Sequence, residues 1–358
     1  MKNWDVIIVG AGIIGLSLSI ELRKQHARVL IIERGEPGRE ASYAAAGMLA
    51  DCECEASSPL KPLASASALM YPAFVRELQD ESGIDCDLRD QGTLQISFDS
   101  HEGAYLRFAE GEPLTAEDVE RLEPDLCTPG QKATYLYLRE RSVDPRALTS
   151  AALKVANHRE VVIVSGSKAM ELSLADGRVT GVRAEKTSYG APAVVNCAGA
   201  WAMQFGPQQF PVRPVKGQIL SVSRPPKICH VIRSHDVYLV PRSDGRLLIG
   251  STLEEAGYDK HTDPDTIRRL HDAATDLVPA LKQSRILEAW AGLRPGTSDN
   301  LPILGATSIP GYFVATGHFR DGILLAPITA RLMSQTIRRD VADLDISAFS
   351  PSRFSKPS

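Results

Sequence analysis

The sequence predicts an α/β chain of two interleaved parts, one built on a parallel, Rossmann-like sheet and the other on an antiparallel β-sheet. Three observations carry that prediction. The apolar run Val6-Ile7-Ile8-Val9 leads into Gly10-Ala11-Gly12-Ile13-Ile14-Gly15, a helical stretch, a second apolar run Val29-Leu30-Ile31-Ile32 and then Glu33. Two later stretches, Gly92–Phe98 and Pro211–Val222 through Val237–Ile249, alternate in the manner of antiparallel strands, with Pro225-Pro226 and Ser243-Asp244-Gly245 as turn signals. Short apolar runs at Val161–Val164, Val194–Cys197 and Tyr312–Ala315 suit strands buried on both faces.

The first unit is a dinucleotide fingerprint in its full context. Gly10 permits the tight turn, Gly12 lets backbone approach a pyrophosphate, Gly15 packs helix against strand, and the helix N-terminus faces the phosphates. Glu33 closes the second strand, placed to accept hydrogen bonds from an adenosine ribose and unfavourable to a ribose phosphate. Next come the run Ala41-Ser42-Tyr43-Ala44-Ala45-Ala46-Gly47-Met48, too small-sided for core, and a helix around Ala68–Asp80. Helical patterns recur at Pro145–Asn157, Pro264–Leu281 and Gly322–Arg339. The expected division is therefore discontinuous: residues 1–85, 140–210 and 286–350 bind the dinucleotide, 86–139 and 211–285 form the second domain, and Pro351–Ser358 is a frayed tail.

With 358 residues, 43% hydrophobic and 23% charged, the chain has the composition of a soluble globular protein with a substantial core. A net charge of -4, with no basic block, argues against nucleic acid and for small-molecule chemistry. The N-terminal apolar stretch is broken by glycines and lacks a cleavage site, and no run approaches a membrane span, so a cytoplasmic protein with no membrane partner is expected. Cys52, Cys54, Cys86, Cys127, Cys197 and Cys229 form no CxxC pair and lie near no histidine cluster; free thiols and no metal site are expected.

The fingerprint fits a nicotinamide or a flavin dinucleotide, and three features favour flavin. Backbone at Ala44–Met48 can pass close to a flat ring. The strand Val194–Cys197 followed by Ala198-Gly199-Ala200-Trp201 brings a second small-residue turn to the same crevice. The segment Tyr312–Gly322 precedes a helix expected to start near Ile323, whose N-terminal dipole would favour the negative charge of a reduced flavin.

These residues resemble the thiamine-pathway glycine oxidases, within the wider group of D-amino-acid and sarcosine oxidase flavoproteins. The blocks that carry the resemblance are Gly10–Gly15 with Glu33, Ala44–Leu49, Val215–Gln218, Tyr238–Arg242 with Gly245–Leu247, Trp290–Thr297 and Gly317–Pro327, in order from residue 5 to about 330. The resemblance implies an FAD-binding Rossmann-like domain interleaved with an antiparallel substrate-binding sheet. It assigns the cofactor to Gly10, Gly12, Ile13, Ile14, Gly15, Glu33, Arg34, Ala41, Ser42, Ala46, Gly47 and Met48, with Ala169 against adenine and His318, Phe319, Arg320, Asp321, Gly322, Ile323 and Leu324 at the C-terminal turn. In sarcosine oxidases a cysteine in the C-terminal half tethers the flavin; Arg294–Gly305 contains none, so non-covalent FAD is expected.

A small amino acid needs a buried planar cation for its carboxylate, a role suited to arginine. The resemblance makes Arg294 that clamp, assisted by Tyr238, with Arg320 beside the flavin also able to contact substrate. The implied reaction is hydride transfer from the substrate α-carbon to flavin N5, hydrolysis of the imine and reoxidation by dioxygen to peroxide, giving glyoxylate and ammonia from glycine. It calls for no dedicated catalytic base, and His318 is read as a positioning residue. Asp236 and Leu253 depart from the family pattern; Asp236 either attracts a substrate ammonium or is solvated strand-end charge, the second reading being favoured. Two alternatives stand beside this reading: an oxidase or dehydrogenase of the same fold acting on sarcosine or D-amino acids, and a tRNA-modifying FAD oxidoreductase. A homotetramer and a place in thiazole formation are implied by the resemblance alone.

Overall fold

A computed structural model describes residues 4–53, 58–98, 111–127, 133–208, 210–223 and 226–354. The expectations for Cys54, Pro225 and residues 355–358 lie outside them. In chain order the elements are β1 (Val6–Val9), α1 (Ile13–Lys24), β2 (Val29–Ile32), α2 (Ala41–Ala44), β3 (Met48–Leu49), α3 (Leu60–Ser82), β4 (Thr93–Phe98), β5 (Glu112–Leu114), α4 (Ala116–Leu122), β6 (Ala133–Leu138), β7 (Arg141–Ser142) and α5 (Pro145–His158). Then follow β8 (Val162–Val164), β9 (Ala169–Ala175), β10 (Arg178–Ala184), β11 (Ser188–Gly190), β12 (Ala193–Asn196), β13 (Arg213–Ser223), β14 (Val231–Arg233), β15 (Tyr238–Pro241) and β16 (Leu247–Gly250). The last are α6 (Pro264–Leu277), β17 (Arg285–Gly296), β18 (Ile303–Ala306), β19 (Tyr312–Thr316) and α7 (Ala326–Arg338).

The first sheet runs β18-β19-β12-β1-β2-β8, parallel except for β18. In β1 the alternation of side chains sends Val6 and Ile8 into the core shared with α1, α3, α5 and α7, and Ile7 and Val9 into a second core under the small sheet β9–β11. That is why four consecutive apolar residues are needed there. Each fully buried aliphatic side chain contributes about 1.5–3 kcal/mol.

The expectation of burial on both faces holds for β12 and β19 but not for β8, an edge strand in which Val162 is 42% exposed. The predicted tail is also corrected at its start. Residues 351–354 form a 3₁₀ turn, Pro351 is buried, and Arg353 binds Asp299 and the carbonyl of Leu301.

The second sheet runs β17-β13-β16-β15-β14-β4-β6-β5, with every pairing antiparallel apart from β4 with β14. One face is covered by α6, through Leu220, Leu239, Leu247 and Ile249 against Ile267, Leu270 and Leu277. The other face carries Ile219, Val240 and Leu248 against Ala46. The expected domain boundary at 286 falls within β17, which pairs with β13 along its length. Among the described residues no helix is long and apolar enough to cross a membrane.

Candidate active site

A single cavity runs between the carboxyl ends of β1, β2, β12 and β19 and the inner face of the second sheet. Every residue expected at the cofactor or the substrate lines it, except Gly15 and Leu324. Gly15 instead packs α1 on the preceding turn, where a Cβ would meet the Gly10 carbonyl oxygen at 2.1 Å. Leu324 lies in the core, its carbonyl accepting from Ser67 Oγ at 2.6 Å.

One end of the cavity is built from the first turn. Gly10 sits at φ +106°, and a Cβ there would stand 2.5 Å from the Cys197 carbonyl oxygen. Gly12 caps α1, whose first amide, Ile13 N, donates to Ser42 Oγ at 2.9 Å. Glu33 accepts from Ala11 N at 2.8 Å through Oε2 and from Gly35 N at 2.9 Å through Oε1. Each of its oxygens keeps a second lone pair for a ribose hydroxyl. Beside it the Arg34 guanidinium lies 3.5 Å over the Trp201 ring, which stacks on Tyr258.

The small-residue run is buried at Ala44 and Ala46, contrary to the expectation that it lies outside the core. Its small size is what the packing requires. Ala44 meets Gly292 of β17 so closely that a Cβ there would stand 2.3 Å from its own, while the Ala44 carbonyl accepts from Trp290 Nε1 at 3.1 Å. The buried Arg242 donates to the Ala46 carbonyl, and Gly47 turns at φ +79°. Two cavity walls are thereby tied to backbone rather than to bulky side chains, the kind of surface against which a flat ring packs.

The C-terminal helix begins at Ala326 rather than near Ile323. Pro327 is the reason: in a helix started at Ile323 it would lack the N–H owed to the carbonyl of 323, whereas within the first turn of α7 no such bond is lost. Residues 318–325 are therefore a turn, held by Phe319 N to the Pro295 carbonyl at 3.0 Å and by Tyr71 Oη to the Ile323 carbonyl. His318 is buried, 3.1 Å from Thr329 Oγ1, and burial pushes its pKa down to about 3, so the ring is neutral at physiological pH.

At the other end Arg294 donates from Nη1 to the Thr252 carbonyl at 3.1 Å and from Nη2 to Ser251 Oγ at 2.7 Å. Tyr238 packs over Gly250, and enclosure pushes its phenol pKa up while Arg294 and Arg320 pull it down. Burial and the neighbouring Arg320 charge both weaken the hold of Arg294 on its proton. A carboxylate bound between these groups relieves that stress. Asp236 is largely exposed, 2.9 Å from His235 Nδ1, and Leu253 stands 52% exposed; both line the cavity. Sequence reasoning missed Ser251, Thr252 and Trp201 as partners of the expected residues. Ser251-Thr252 directly follows β16, a strand-end position that marks the cavity-facing edge of the sheet.

Residues 5–336 match the family described as FAD dependent oxidoreductase. The chain is 34% identical to a glycine oxidase of Geobacillus kaustophilus over 98% of its own length and 97% of the relative's. It is 35% identical to the bifunctional protein ThiO/ThiG of Synechocystis over 98% of its own length and 54% of the relative's. The crystal structure of glycine oxidase from Geobacillus kaustophilus superposes with a TM-score of 0.92 at 32% identity, covering 99% of each chain.

Proposed function

Because the chain belongs to the FAD dependent oxidoreductase family, we propose that this FAD-dependent enzyme, which acts on amine donors, oxidatively deaminates glycine to glyoxylate, ammonia and hydrogen peroxide. The observation that carries the reading is the convergence of Arg294, Arg320 and Tyr238 on the end of the cavity bounded by the Phe319–Ile323 turn and the Ala46–Met48 run. FAD would be held non-covalently in that crevice by the turn at Gly10–Gly12, Glu33, the Ala46–Met48 run and the Phe319–Ile323 turn, and would supply the two-electron oxidation.

The protein's own part is placement. The Arg294 fork takes the two carboxylate oxygens, and the Tyr238 hydroxyl donates a further hydrogen bond, fixing the α-carbon at the ring-facing side of the cavity. The site needs no side-chain base, since the amine loses its proton on entering an environment that already holds two guanidinium charges. Neutral His318, turned to Thr329, positions the turn. Sarcosine and small D-amino acids are further substrates in this reading; a homotetramer and a supply of glycine imine to thiazole formation are implied by the family resemblance alone.

Peroxide release by the yellow protein with glycine, sarcosine, D-alanine and D-proline tests the reading, with Arg294→Ala as control. Glycine-led peroxide that disappears in Arg294→Ala is expected. Bleaching of the flavin without peroxide would make the enzyme a dehydrogenase, and turnover unaffected by Arg294→Ala would remove the carboxylate assignment.

A further inference from the structure

We propose that Glu254, Thr252 and Gln218 form a positioning relay behind Arg294, holding the inner edge of its guanidinium so that the outer edge meets the substrate carboxylate. The proposal rests on the reading of Arg294 as the carboxylate clamp.

The relay starts from an oddity of β13. Lys216 and Gln218 point away from the cavity, onto the face of β13 that Leu220 presents to α6, and although polar they are 4% and 0% exposed. They are covered by the segment 251–263, which pairs with β13 through Lys216 N to the Glu254 carbonyl at 2.9 Å and Glu254 N to the Lys216 carbonyl at 3.0 Å. Within it Thr252 Oγ1 accepts from Gln218 N at 2.9 Å and donates to Glu254 Oε1. Gln218 Nε2 donates to the same Oε1 at 2.9 Å, and Gln218 Oε1 accepts from Asp263 N at 2.7 Å. Asp263 is itself the N-cap of α6, accepting from Thr266 N. Thr252 is thus fixed on both sides, and its carbonyl is the acceptor for Arg294 Nη1.

Charge placement adds a second argument. Glu254 does not touch Arg294, but its negative charge supports the guanidinium against the burial that disfavours it. A carboxylate bound directly to the fork would compete with the substrate. A carboxylate set one backbone carbonyl away offsets the cost of the buried cation and leaves the outer N–H groups to the ligand.

The test uses the holoenzyme and acetate, a carboxylate with no amine to oxidise, read by perturbation of the flavin absorbance, together with KM and kcat for glycine. Glu254→Gln keeps the acceptor oxygen and removes the charge; Thr252→Val removes the hydroxyl; Thr252→Ser restores it. The expected result is an acetate Kd and a glycine KM raised about tenfold in Glu254→Gln and Thr252→Val, kcat within about twofold, and recovery in Thr252→Ser. Wild-type Kd and KM in the first two variants would overturn the relay, as would a parallel loss of kcat, flavin content and melting temperature, the signature of a scaffold role. Arg294→Ala separates the two readings. If it still binds acetate, the clamp itself fails; if it does not while the other variants behave as wild type, only the relay fails.

Discussion

The guanidinium of Arg294 lies against Gly217 on the adjacent strand, so near that a Cβ at 217 would stand 2.2 Å from Nη1. The obstructing atoms are the tip of a flexible side chain, so Gly217→Ala is met by moving Arg294, not by unfolding the sheet. The expected outcome is a fall of roughly 10²-fold in kcat/KM for glycine, from misplacement on the scale of an ångström. Steady-state kinetics beside the flavin absorbance of the purified variant check it: flavin content is expected to stay at the wild-type level.

Local signals made the first βαβ unit legible, because β1, α1 and β2 are fixed by residues within their own span. The start of α7 was legible too, through Pro327, but the helical pattern from Gly322 placed it near Ile323, three residues early. What the sequence hides is what depends on partners far along the chain. Nothing local explains why the polar Lys216 and Gln218 are buried in β13; the return of segment 251–263 covers them. Likewise Ala44 and Ala46 belong to a run too small-sided to read as core, yet both are buried, Ala44 directly against Gly292 of β17.

Glu140 and Arg233 form a buried ion pair, Nη1 to Oε2 at 3.1 Å with Arg233 Nε on Gln95 Oε1 at 2.7 Å, joining the end of β14 to the β6–β7 connection. Both side chains are at most 5% exposed, so removing one takes an opposite charge away from the other in low dielectric. Glu140→Ala is expected to lower the unfolding free energy by about 3–5 kcal/mol. Chemical denaturation of the holoenzyme followed by circular dichroism measures it; a change below about 1 kcal/mol would show that water reaches the pair.

His318 ties stability to pH. Its folded pKa, about 3, lies far below the roughly 6.5 of an unfolded histidine, so below that value the unfolded chain binds the proton that the folded chain refuses. The stability it confers is complete above about pH 6.5 and is lost as pH falls toward about 3, reaching roughly 2 kcal/mol at about pH 5. His318→Asn, which keeps a polar partner for Thr329 but cannot titrate, is expected to lose less melting temperature between about pH 7 and about pH 5 than the wild type. The carboxylates common to both proteins cancel in that comparison, and equal slopes would contradict a neutral buried ring.

Trp201 is held between the Arg34 guanidinium, 3.5 Å from its centroid, and the Tyr258 ring at 5.5 Å and 27°. Arg34 follows Glu33, and Arg34 and Trp201 both line the cavity, so the stack forms a wall at the end where the first glycine turn lies. A cation–π contact of this kind is worth about 0.5–2 kcal/mol depending on exposure. Lys260 and Arg34 both bind Glu40 at 3.1 Å, and Tyr258 Oη donates to the Ala200 carbonyl at 3.1 Å. Losing the indole therefore removes the stacking contact of both the Arg34 guanidinium and the Tyr258 ring, leaving them their hydrogen bonds to Glu40 and to the Ala200 carbonyl. Trp201→Ala is expected to weaken FAD binding by about tenfold, and Trp201→Phe by less, because the smaller ring still offers a face to the guanidinium. Titration of the apoprotein with FAD, followed by quenching of flavin fluorescence, reads both. Wild-type affinity in Trp201→Ala would confine the stack to holding the segment in place.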